Sequence, residues 1–143
     1  MYLTMKNFEL KVFGEFLYEL SLKGKDSRMR SRFVALIEAQ LQLIQNERDI
    51  LLRDYAKRDE NGEIVTGKDN EGRTIAVLAD TFAYNLEISK LMNEDFTIEV
   101  KDDNKEMIKT VQEAIFNVDK EFSGFEAESY NRLCEVFEAV TLW

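Results

Sequence analysis

Between Asp26 and about Arg58 one apolar stripe runs at helical spacing, through Met29, Phe33, Leu36, Ile37, Leu41, Ile44, Leu51, Leu52 and Tyr55. Side chains three and four residues apart share one face of an α-helix. The chain has no proline, so only glycine and polar turns can interrupt that helix. A helix of ~30 residues is ~45 Å long, more than one globular core usually needs. Gln40 and Arg48 break the stripe, which separates it from a strict coiled coil. Its length predicts that part of it protrudes or meets another subunit. Self-association through this helix and its flanking aromatics is therefore expected.

Other segments are shorter. Phe8, Val12, Phe13, Phe16, Leu17 and Leu20 predict a first helix, with Asn7 as N-cap and Gly24 just past its end. Asp26 or Ser27 would cap the second helix. From Asp59 the texture changes: DENGEIVTGKDNEGRTIAV holds three glycines and two β-branched runs, Ile64–Thr66 and Thr74–Val77. This predicts a hairpin or mobile insertion over 59–78, its DENGEIV and DNEGRTI strings forming two similar turns. Residues 79–92 return to helical spacing, with Asp80 near the start. Residues 96–100 alternate as a half-buried strand. Asp103 with Glu106, and Ser123 with Glu126, stand in capping-box spacing ahead of two further helices. The expected class is α+β and mainly helical: a helical bundle with a long second helix and a small β-hairpin or sheet, in one domain spanning 1–143.

Composition excludes more than it suggests. Apolar residues make up 45% of the chain, enough for a core despite its high charge. No histidine and one cysteine, Cys134, are present. That removes the commonest general base and any zinc site built from several nitrogen or sulfur ligands of one chain. A lone cysteine fits a reducing compartment. No stretch has the length and apolarity of a membrane span, and MYLTMKNFELK lacks the order of a signal peptide. Residence in the cytoplasm is expected.

Each candidate motif has a simpler explanation. Asp59-Glu60-Asn61-Gly62 and Asp69-Asn70-Glu71-Gly72 resemble calcium loops, but the first and last carboxylates of such a loop are missing in either register. Gly62-EIVT-Gly67-Lys68 approaches a phosphate loop, yet Asp69 stands where a magnesium-binding hydroxyl is needed. Ser27 beside Lys25 is explained by helix capping. Cys134 belongs to the apolar face of the last helix, with Tyr130, Leu133, Phe137 and Val140. Asp102–Asp103 reads as a solvated turn. No catalytic residue, metal site or cofactor is expected.

Charge is unevenly placed. Lys23, Lys25, Arg28, Arg30 and Arg32 crowd into ten residues against Asp26, while the whole chain carries −9. Three explanations stay open for this cluster: pairing with acids of the same chain such as Glu94, Asp95 or residues 119–128; binding of phosphate or nucleic acid; or docking on an acidic protein surface, including that of an identical subunit. Cations at a helix start oppose the helix dipole, so acidic partners would help. A short basic turn without interleaved aromatics is a poor footprint for a polyanion. The five residues are therefore expected to contact an acidic protein surface and not nucleic acid.

The strings LSLKGKDSRMRSRFVALIEAQL, RDYAKRDENGEIV and VDKEFSGFEAESYNRLCEVFE together resemble a family of small phage and prophage proteins of Gram-positive bacteria whose function is unknown. The resemblance covers most of the chain except the extreme N-terminus and residues 66–100. It implies a phage origin and a working life in the host bacterial cytoplasm, and it transfers no catalytic residue. The expected function is that of a non-enzymatic protein-binding module, forming homo-oligomers and meeting a phage structural protein or a host protein during virion or tail assembly. The alternative is a host-takeover protein that inhibits a bacterial defence system of CRISPR or restriction type, in one form as an acidic mimic of DNA.

Overall fold

The computed structural model describes residues 1–142. Among them the order is β1 (Tyr2–Lys6), a 3-10 turn (Asn7–Glu9), α1 (Leu10–Tyr18), α2 (Gly24–Tyr55), β2 (Thr66–Lys68), β3 (Thr74–Ala76), α3 (Thr81–Met92), β4 (Asp95–Glu99), α4 (Lys105–Phe116) and α5 (Gly124–Glu138). The fold is α+β and mainly helical, with a long second helix and two small antiparallel sheets. The chain divides into two compact units, one of residues 1–41 and 95–143, the other of residues 42–94. No helix is long and apolar enough to cross a membrane among the described residues.

The first unit holds most of the buried apolar side chains. β1 pairs with β4 so that Leu3 faces Ile98 and Met5 faces Phe96. Opposite residues of an antiparallel pair share a face, and here that face is the core: Leu3 and Met5 are fully buried. The Lys6–Asp95 ion pair, 2.6 Å apart, closes one end of the ribbon. Leu10, Phe13 and Leu17 of α1, Phe33 and Ile37 of α2, Ile108 and Ile115 of α4 and Leu133 and Phe137 of α5 complete the core. The rings of Phe33 and Phe137 lie 5.5 Å apart. Gly14 permits close approach of α1 and α2, since a Cβ there would stand 3.4 Å from Ile37 Cγ2.

The second unit is organised by its backbone. Asp59 and Asp69 build the same turn twice. Each carboxylate accepts from the backbone N–H groups two and four residues on, at 2.9–3.0 Å. Gly62 and Gly72 follow with φ of +79° and +80°, a conformation costly for any residue with a Cβ. The two acid-rich strings are thus turn chemistry. Lys57 and Val65 bond as strands do, as do Val65 and Val77, and α3 begins where Asp80 accepts from Ala83 N–H at 3.0 Å.

Several local expectations need correction. Tyr2–Lys6, for which the spacing predicts no element, forms the strand β1. The first helix ends at Tyr18, so Gly24 does not close it; with φ of +59°, Gly24 opens α2. Phe8 lies 55% exposed, off the buried face to which its spacing assigned it. Helix α2 ends at Tyr55, because Ala56 and Arg58 turn to bridge Leu78 and Ile64. The Asp103–Glu106 box does not form: Asn104 caps α4, and its side chain joins Lys101 N–H to the Glu99 carbonyl. Ser123 does precede α5, without a side-chain capping bond.

Candidate docking surface of the first unit

The five basic residues separate into two groups. Arg30 lies half-buried and its Nη1 donates to the carbonyls of Leu17 at 2.8 Å, Tyr18 at 3.2 Å and Leu20 at 2.7 Å. Helix ends leave such carbonyls without partners, and a cation there also meets the negative end of the helix dipole. Arg30 is the C-terminal cap of α1. Lys25 pairs with Glu106 of α4, the acid whose spacing from Asp103 predicts a capping box. Lys25, and more weakly Arg32, hold the Glu106 carboxyl below the usual carboxylate range. Asp95 pairs instead with Lys6, and Glu126 with Lys120. Lys23 and Arg28 are exposed and form no ion pair among the described residues; Arg32 is exposed as well.

A second feature was not singled out from the sequence. The adjoining faces of α1 and α5 leave a recess of about 200 Å³ over Val12, Phe13, Phe16 and Leu133. It continues toward Phe8 and Arg132 through the shared residues Val12, Phe13, Phe125 and Ser129. Phe8 at 55% and Phe125 at 72% exposure stand on its lips. Five carboxylates (Glu9, Glu15, Glu19, Glu126 and Glu128) line the groove against one guanidinium, that of Arg132. Arg132 is already engaged: its Nε donates to Glu9 at 2.8 Å, and its Nη1 lies 3.6 Å from Glu135.

Three aromatic rings pack together at the groove. Phe122 stacks on Tyr130 at 4.5 Å, and Phe16 lies 5.6 Å from the same ring. Tyr130 donates its hydroxyl to the Ile115 carbonyl at 2.7 Å. Burial, then contact with Cys134, pushes the Tyr130 pKa up to about 12. Burial likewise pushes the Cys134 thiol up, which keeps it protonated and a poor nucleophile. Gln112 donates to the carbonyls of Phe137 and Val140, at 2.8 and 3.0 Å, and so fastens the end of α5. A sequence signal for the groove exists in hindsight: Phe125, Ser129 and Arg132 share a face, and an aromatic on an otherwise polar face is out of pattern.

No family model, curated protein or solved structure matches the chain.

Proposed function

We propose that this chain is a non-enzymatic protein-binding module of a phage or prophage that acts in virion or tail assembly, with the α1–α5 groove as a contact surface. The observation that carries the binding part is the pair of exposed phenylalanines, Phe8 and Phe125, on the lips of an apolar recess. Exposed aromatics beside an apolar floor favour contact with a partner, because covering them removes apolar area from water. The phage setting rests on the family resemblance. Protein is a better partner than nucleic acid here. The groove is acidic, and of the five basic residues Arg30 serves as a helix cap and Lys25 is paired. Lys23, Arg28 and Arg32 supply the contact to an acidic protein surface.

A photo-crosslinking residue at position 125, expressed during infection, tests this. The expected product joins the chain to a phage structural protein, this chain included, late in infection, and it disappears with Phe8→Ser. An early crosslink to a host defence protein would replace the assembly role by the host-takeover role. Micromolar, salt-sensitive binding to DNA, lost when Lys23, Arg28 and Arg32 become Glu, would overturn the choice of partner class.

A further inference from the structure

We propose that the occupant of the α1–α5 groove is a second copy of this chain, which inserts the corner between its own α1 and α2. This rests on the groove being a protein-binding surface, and it identifies the protein that binds. The corner and the groove match in two independent respects. The first is charge. Three carboxylates without an ion pair among the described residues, Glu15, Glu19 and Glu128, line the groove, its Glu9 and Glu126 being held by Arg132 and Lys120, whereas the corner and the helix start after it carry Lys23, Arg28 and Arg32 against Asp26, all exposed. Opposite potentials on two surfaces of one chain steer its copies together and disfavour other registers.

The second respect is apolar. The groove has an open apolar floor, and the corner presents Tyr18 at 71% exposure, an aromatic with a polar tip of the kind that anchors interfaces. The backbone that carries Tyr18 is held by Arg30, so the corner is pre-shaped and little ordering entropy is lost on docking. Arginine 30 thus fixes the corner, and the free cations flank it. Glu19 lines the groove and immediately follows Tyr18, so the two surfaces adjoin along the chain. Adjoining complementary patches suit a two-fold pair in which each copy offers a corner and receives one.

Sedimentation equilibrium on the full chain, with two variants, tests the proposal. The wild type is expected to dimerise at micromolar concentration, less so as salt is raised. Glu15→Lys with Glu19→Lys makes both surfaces basic, and Lys23→Glu with Arg28→Glu makes both acidic. Each double variant alone should lose more than about tenfold in dimerisation affinity, and an equimolar mixture of the two should recover it. Circular dichroism of each variant reports whether it folds, and Tyr18→Ser supplies a second, charge-neutral loss. Dimerisation of the wild type that both charge reversals leave unchanged would overturn the proposal. So would a wild type that stays monomeric. In that case loss of the position-125 crosslink in Phe8→Ser would retain the groove as a surface for a different protein, and its persistence would remove both.

Discussion

The two units of this molecule are stabilised by different means. In the unit of residues 1–41 and 95–143, every one of the largest fully buried side chains is found, among them Phe33, Phe137, Leu3 and Ile108. The unit of residues 42–94 buries only Ile44, Ala56 and Leu91 among its described apolar residues, while Phe82 is 80% exposed and Leu43, Ile50, Ile75 and Leu86 are each nearly half exposed. It relies instead on two aspartate-centred turns and short backbone ladders. Hydrophobic burial scales with area removed from water, whereas a solvent-accessible hydrogen bond exchanges one partner for another at small net gain. The first unit should therefore set the stability of the chain, and the second should open more readily.

Two phenylalanines give the sharpest test. Phe33→Ala removes a fully buried ring packed on Phe137 and should cost about 3–5 kcal/mol in urea denaturation. Phe82→Ala, in the second unit, should change stability by no more than about 0.5 kcal/mol. Equal losses would break the comparison, and would show that Phe82 packs on folding as Phe33 does.

A smaller effect is expected at the α1 terminus. Arg30→Ala takes the guanidinium donor from the Tyr18 and Leu20 carbonyls and leaves the Leu17 carbonyl with the Leu20 N–H alone, at a cost of about 1–3 kcal/mol, whereas Lys23→Ala should be close to neutral. Thermal melts with the order reversed would mean that Arg30 is not the cap and that the exposed members of the cluster hold the fold.

The smallest effect concerns the hairpin. Amide hydrogens of β2 and β3 should exchange faster than those of β1 and β4, through local opening. Gly72→Ala, at φ of +80°, should add about 1–2 kcal/mol of strain, speeding exchange in residues 66–76 and leaving β1 and β4 unmoved. Hairpin protection equal to that of β1 would make the two units one cooperative body.

Much of this was legible in the residues themselves. The long second helix, the two aspartate turns and the Asp80 cap all follow from contacts within a few residues, where spacing and local hydrogen bonding decide, and the strand near 96–100 shows in its alternation although its partner does not. The near-repeat of DENGEIV and DNEGRTI, for instance, is a pair of turns because each aspartate reaches its own backbone. The basic cluster stood out as a cluster, but its members differ in what they touch, and that division between Arg30, Lys25 and the free Lys23 and Arg28 is invisible along the chain.

What the sequence by itself determined is the set of helices and turns and the uneven charge. Only the tertiary structure decided that Tyr2–Lys6 is a strand, since its partner β4 lies about ninety positions away and the strand exists only in that pairing. It also decided that Phe33 is buried while Phe8 and Phe125 are exposed, that Gln40 breaks the α2 stripe to donate to Asn7 at 3.2 Å, and that Glu106 meets Lys25. The physical reason is common to these cases. Periodicity assigns a side chain to a face of its own element, but burial and pairing depend on which other element covers that face, and that is settled by packing among residues distant in the chain.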